Sequence, residues 1–300
     1  MNAVNEMGQL FDTSEQEAKT LVIIGNGFDL MHNIVSSISD FKEWIRMQGA
    51  TQIITRMENF FVNGKYDLWK DLEVALGKYD ERIVLDMCNP FNAIDYNHPM
   101  HSVANIEDSP DYLFKPILDT FKNYFRQWVE SIDISFAKKQ TYLSPRCLYF
   151  TFNYTETLEK VYDIPSDRIT HIHGSRLNKD EYIIGHNNYR DSNDYDMEGK
   201  YFYAPEANEK ILSWMNELCK DTNACVKRHS SFFNSLSDIN NVITIGHSLG
   251  EIDWPYFESI TKNVSSNTSW TINWHDFKDL KQAEYFVEHF KLMNVRLKQR

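Results

Sequence analysis

Positive charge is in short supply. The 300 residues include 31 lysines and arginines against 43 acidic side chains, a formal net charge of −12 at pH 7. That balance excludes a long groove built to track nucleic-acid phosphates, although it leaves room for a local pocket that takes a small anion. Cysteine is also sparse. Cys88, Cys147, Cys219 and Cys225 are the four, and none forms a Cys-x-x-Cys pair. A disulfide framework is therefore not expected, and reduced thiols in a cytoplasm are. No apolar stretch approaches the roughly 20 residues that span a bilayer. The first seventeen residues are polar and acidic and lack the basic start and apolar run of a secretion signal. They are expected to form a flexible tail on a cytoplasmic protein that has no membrane contact. Internal repeats and low-complexity tracts are missing as well.

What remains is an alternation of strand-like and helix-like segments. TLVIIGNGFDL (20–30) holds a short β-branched apolar run ending in a turn with two glycines, as suits a strand buried on both faces. CLYFTFNYTETLEKVY (147–162) reads as a strand running into a helix that begins near Thr155. RITHIHGS (168–175), EYIIGHNN (181–188), NVITIGHS (241–248) and SWTINWHD (269–276) are further strands. Helical stripes run through Leu68, Leu72, Leu76, Tyr79 and Ile83, through Leu113, Ile117, Phe121, Phe125 and Trp128, and through Leu280, Ala283, Phe286 and Phe290; they read as core packing. The expectation is a doubly wound, mostly parallel α/β sheet, Rossmann-like. One domain is expected over 18–300, with a helical insertion at about 46–140 because more than a hundred residues exceed a single crossover. Within it, 88–111 reads as a long loop. The polar, aromatic stretch 187–206 reads as a lid.

The polar motifs fall at predicted strand ends, where such sheets bind ligands. In GNGFD (25–29), Gly25 and Gly27 directly follow a strand, where the lack of a Cβ lets backbone amides approach a phosphate. Gly25, Asn26, Gly27 and Phe28 are accordingly expected to cradle a pyrophosphate. The third glycine of a dinucleotide fingerprint is missing, since position 30 is Leu. Asp29 either caps the next helix or points into the site. Asn153 ends a strand, so its carboxamide can face the crevice. His171 and His173 are expected to share a strand face, and His173, followed by Gly174, is placed as a general base. The His-x-His pair with His186 offers the start of a zinc set, but no further fixed spacing supports one and no metal is expected. Gly-His-Ser-Leu-Gly (246–250) has the spacing of a serine-esterase nucleophile elbow. Only about fifty residues follow Ser248, too few for the usual acid and histidine units. Gly246, His247 and Ser248 are read instead as a small polar turn lining the ligand crevice.

Taken together, LVIIGNGFDLMHNI, LWKDLE, FTFNYTETLEKVY, HIHGS with IIGH, and IGHSLGEIDWPYF resemble the AbiH abortive-infection family of bacterial phage-defence proteins over nearly the whole chain. The same blocks are distantly similar to sirtuin-like proteins. That likeness implies NAD as ligand or substrate, with Gly25 and Gly27 in the glycine loop and Asn153 near the nicotinamide ribose. It makes His173 the catalytic histidine and puts Ser248 near the adenosine end. Departures are Thr155, where sirtuins carry aspartate, Asp29, where they carry a small or hydroxyl residue, and the missing Cys-x-x-Cys pairs, which speak against a protein deacylase. The expected function is NAD glycohydrolysis with Asn153, His173 and Asp29 as catalytic residues. The alternatives are a nucleotide-binding sensor without chemistry and a serine esterase using Ser248. The expected partners are a small nucleotide, and a second copy of the chain or a phage-derived trigger; direct nucleic-acid binding is not expected.

Overall fold

A computed structural model describes residues 14–61, 68–78, 97–178, 180–189 and 205–300. Within these, the chain forms two compact units. One gathers the described residues up to Ser37 with Val129–Ile183 and Asp221–Arg300; the other gathers Ile38–Trp128 and Ile184–Lys220.

The first unit is built on six strands: β1 Thr20–Ile24, β2 Leu148–Thr151, β3 Ile169–His171, β4 Asn241–Ile245, β5 Ser269–Trp274 and β6 Val295–Gln299. They lie in the order β3-β2-β1-β4-β5-β6, and every neighbouring pair is parallel. The expected doubly wound α/β sheet is what the chain forms. Residues of β1 alternate between two cores because successive side chains leave a strand on opposite faces. Leu21 and Ile23 join Phe150, Val242, Tyr256, Phe257 and Phe286 on one side. Val22 and Ile24 join Phe28, Tyr149, Leu158, Tyr162 and Ile245 on the other. Helices Trp254–Asn263 and Phe277–Phe290 cover the first face, while Asn26–Met31 and Thr157–Tyr162 cover the second. The strand order reverses between β1 and β4, which makes their carboxyl ends the topological switch point.

The second unit is helical. Its aromatic core sets the Phe41 ring 5.4 Å from Phe125 and 5.1 Å from Trp128. Buried Lys220 reaches Glu73 at 2.7 Å. Helix Pro99–Ser131 passes through Pro110 and Pro116, so 99–111 is helix where a loop was expected. Each proline removes one helical donor. The buried row Phe114, Leu118, Phe121, Phe125 and Trp128 keeps one face packed in spite of that loss. Residues 79–96, including Tyr79, Ile83 and Cys88, lie outside the described residues, as do 1–13 of the expected tail and 190–204 of the expected lid.

Three strand expectations change. Residues 181–185 form no strand, and His186 makes only an isolated bridge with Cys219. β3 stops at His171, so His171 and His173 do not share a strand face. β6 was not expected at all, since VRLKQ carries too few apolar residues to read as a buried strand; it is the sheet's edge, where such a sequence is tolerated.

Candidate functional site

The site assembles at the carboxyl edge of the sheet. Ile24 pairs with Thr151 and Thr151 with His171. The next residues keep that alignment: Phe152 N–H donates to Ile24 O at 2.9 Å, and Ile172 N–H to Thr151 O at 3.0 Å. Asn153 and His173 each lie two residues beyond the ends of neighbouring strands. Both are buried.

Asp29 is the centre of one polar cluster. It sits on helix Asn26–Met31 and is 1% exposed. Thr155 Oγ1 donates to its Oδ2 at 2.5 Å, and Thr157 Oγ1 to its Oδ1 at 2.8 Å. Helix Thr157–Tyr162 starts two residues later than expected, which leaves Thr155 in the approach to the helix and free to turn its hydroxyl to Asp29. Burial pushes the Asp29 carboxyl up from its ordinary range; the two threonine hydroxyls and the nearby Asn153 pull against that rise. Asp29 therefore points inward and does not cap the helix. Asn153 is nine-tenths buried, yet neither its Nδ2 nor its Oδ1 has a hydrogen-bond partner. An orphaned buried carboxamide is costly, by about 1–3 kcal/mol, unless a ligand completes it. Its backbone is fixed: its N–H donates to Thr151 Oγ1 at 3.1 Å, and its carbonyl faces His171 Nδ1 at 2.9 Å. His171 Nε2 in turn faces Glu159 Oε1 at 3.0 Å. His171 is thus a strut beneath Asn153.

His32 braces the same side. Its Nδ1 lies 2.7 Å from the Phe28 carbonyl, and its Nε2 lies 2.7 Å from the Tyr162 hydroxyl. A carbonyl only accepts, so Nδ1 carries the proton and Nε2 accepts from the tyrosine. Burial holds the ring below the usual histidine range, consistent with a neutral imidazole.

The second cluster surrounds His173. Its ring meets Phe152 at 5.2 Å and Tyr256 at 5.7 Å, and its Nε2 lies 3.9 Å from Asp253 Oδ1. His247 faces the other oxygen of Asp253 at 3.4 Å. Gly174 turns the chain after His173 at φ +89, where a Cβ would meet Glu181 O at 2.6 Å.

The glycine turns do something other than expected. Gly25 N–H donates to Ile245 O at 3.0 Å, and Gly27 N–H to Gly246 O at 2.8 Å. A Cβ on Gly25 would lie 2.6 Å from Gly246 O, and one on Gly27 2.9 Å from Gly246 Cα. The glycines allow two backbones to interlock at the switch point, so these amides are spent inside the fold and do not cradle a pyrophosphate. Phe28 N–H is likewise given to Gly25 O, and its side chain is in the core. Asn26 is tied to Ser36, its Nδ2 donating to the backbone carbonyl at 3.0 Å and its Oδ1 accepting from the hydroxyl at 2.8 Å.

A model of the bacteriophage abortive infection family AbiH matches residues 21–274. The chain belongs to the AbiH family. No curated protein and no solved structure matches it. Membership places the chain in bacteriophage abortive infection, and the matched span of this AbiH protein includes every residue of both clusters.

Other expected site residues of this AbiH chain separate. Ser248 is exposed. The left-handed residues around it are Gly246 and Leu249, so the strain that presents an elbow nucleophile falls on its neighbours. His289, the last histidine after Ser248, packs against the Trp254 ring, centroids 3.9 Å apart and planes tilted by 36°. The histidines weighed as zinc ligands have other partners. His171 and His173 meet different partners, and His186, in the other unit, is spent on Met215 O and Asn188 N–H. Among the described residues, the histidine–carboxylate group with ligand atoms within 4.8 Å of one another is His275, Asp276 and Asp279, on the surface. No helix among them is long and apolar enough to cross a membrane. Sequence reasoning missed Thr157 as a partner of Asp29 and Asp253 as a partner of His173. The one available signal was two hydroxyls flanking Glu156 and an aspartate shortly after a strand-end histidine.

Proposed function

We propose that this AbiH-family protein binds NAD or a related nucleotide at the carboxyl edge of its sheet and hydrolyses the nicotinamide–ribose bond. The observation that carries the reading is the buried carboxamide of Asn153, which lies beside Asp29 and makes no well-formed hydrogen bond through either of its polar atoms. Its Oδ1, and the donor capacity Nδ2 keeps beside Asp29, match a sugar hydroxyl or a bound water, neutral groups that a buried amide can take without a charge penalty. In hydrolysis the bond between ribose C1′ and the nicotinamide nitrogen breaks. Nicotinamide leaves with the bonding pair, water oxygen bonds to C1′, and the water proton must be taken up. Asn153 orients the hydroxyl or the water, and His173 accepts the proton. Asp29, fixed by two threonines, sets the polarity around Asn153 and favours positive charge on the sugar. Since Gly25 and Gly27 have given their amides to the end of β4 and the turn after it, the reading assigns them no phosphate.

The test is nicotinamide release from NAD by the purified protein, with Asn153→Ala and His173→Ala beside it. Loss of about a hundredfold or more is expected for each, the usual worth of a positioned acid–base group. Equal activity in the variants would reject the assignment. Calorimetry with NAD, ADP-ribose and ATP separates the enzyme from a sensor, which would bind tightly without turnover.

A further inference from the structure

We infer that Glu159 holds His171 as an imidazolium beneath the site, and that this charged ring is the positioning residue of Asn153. The positioning half of the inference rests on the reading of Asn153 as the group that orients the sugar hydroxyl or the water.

The hydrogen bonds count the protons. His171 Nδ1 lies 2.9 Å from the Asn153 carbonyl, which can only accept, so Nδ1 carries a proton. Nε2 lies 3.0 Å from Glu159 Oε1, and an ionised carboxylate also only accepts. A neutral imidazole has one N–H and serves one of these partners. The other contact would then set two lone pairs against each other. A second proton therefore sits between Nε2 and Oε1. Imidazole is the stronger base of the two groups, so the ring holds it. His32 is the contrast. Its partners are a carbonyl and a hydroxyl, and because the Tyr162 hydroxyl can donate, a neutral ring satisfies both. The His171 and Glu159 side chains are enclosed, at 8% and 10% exposed, and Glu159 Oε2 is buried without a hydrogen bond. A carboxylate so placed is costly unless an opposite charge stands beside it, and His171 is that charge.

The fold sets this contact. β3 ends at His171, aligned with Thr151 at the end of β2, and Glu159 lies in the first turn of helix Thr157–Tyr162. Asn153 belongs to the connection between β2 and that helix. The ring therefore ties the exit of β2 to the helix that follows it, through a charge-assisted hydrogen bond roughly twice as strong as a neutral one. With its N–H on Thr151 Oγ1 and its carbonyl on the charged ring, the Asn153 backbone is held on both sides and its carboxamide keeps one direction. Because Glu159 neutralises the ring, the strut does not oppose the positive charge that grows on the sugar as nicotinamide leaves.

The experiment uses the full chain at neutral pH with ¹⁵N-labelled histidine and asparagine. His171 signals are assigned by their loss in His171→Asn. In the wild type both ring nitrogens are expected to be protonated. In Glu159→Gln the ring is expected to turn neutral with its one proton on Nδ1, because glutamine brings no counter-charge and its amide can donate to Nε2. A neutral ring in the wild type, or a ring still doubly protonated in folded Glu159→Gln, overturns the pair. If that variant does not fold, the wild-type spectrum alone decides it. Positioning is read from steady-state nicotinamide release and from the Asn153 side-chain amide signal, assigned by its loss in Asn153→Ala. His171→Ala is expected to displace that signal and to lower kcat about 10- to 100-fold while KM moves less than about threefold, because orientation and not binding is removed. His171→Asn, whose amide can still donate to the Asn153 carbonyl, is expected to recover part of the rate and most of the signal position. Equal rates and signals in the two variants overturn the positioning role, as do wild-type values in His171→Ala. If His171→Ala does not fold, Glu159→Gln carries the test: kcat is expected to fall about tenfold, and an unchanged kcat and Asn153 signal beside a neutral ring overturn the role. A wild type that releases no nicotinamide rejects the proposed reaction, while the ring and amide signals still judge the pair and its hold on Asn153.

Discussion

Gly246→Ala tests the interlocked turns directly. Gly246 has φ +65, and a Cβ there would lie 2.2 Å from Phe28 N and 2.5 Å from Gly27 C. Two costs follow. The left-handed backbone costs an L-residue about 1–2 kcal/mol. The clash is with main chain, so the two turns must part, and Gly27 N–H loses Gly246 O, its partner at 2.8 Å. A donor left unpaired at such a junction costs about 1–3 kcal/mol. The expected destabilisation is about 3–4 kcal/mol. Gly250→Ala is the control in the same turn: φ is −62, and a Cβ would meet only Ser248 Oγ at 3.7 Å. It should change stability by no more than about 0.5 kcal/mol. Urea unfolding measures both, and the midpoint for Gly246→Ala should fall by about 1 M. Hydrogen exchange should accelerate at Gly25, Gly27 and Ile245 in that variant alone. If the two variants melt together with unchanged exchange, the turns are not interlocked and their amides are available to a ligand after all.

Two further outcomes are expected. The folded Asp29 carboxyl lies above its unfolded range, so between the unfolded value of 3.8 and the raised folded value the native state binds the extra proton. Stability from this group is therefore present at low pH and lost as pH rises through that window; Asp29→Asn should flatten the slope in pH-dependent urea melts, and an unchanged slope would show that Asp29 is not the buried acid responsible. Ser248, exposed and outside an elbow, should form no adduct with a fluorophosphonate probe under conditions that label an authentic serine esterase; a Ser248-dependent adduct would revive the esterase.

Some of this was legible in the residues. TLVII, CLYFT and NVITI announce strands buried on both faces, because only an apolar run without alternation can serve two cores at once. The stripe from Leu113 to Trp128 announces a helix despite Pro116 within it. The carboxyl edge of the sheet as the place for Asn153 and His173 follows from strand ends alone. Other parts were not legible. Gly-Asn-Gly looks identical whether its amides meet a phosphate or another turn of the same chain. A His-x-His pair looks like one face of a strand until the strand stops between its members.

Local periodicity, then, determined the parallel layers and the edge that carries the site, since apolar patterning acts between near neighbours and repeats. Closure of the fold decided the rest: Gly246 against Gly27, Thr155 and Thr157 against Asp29, Asp253 between His247 and His173. Apart from His247 and Asp253, which share one turn, these contacts join segments separated by long stretches of chain. No local pattern encodes such a contact, because it depends on which backbones the sheet order brings side by side.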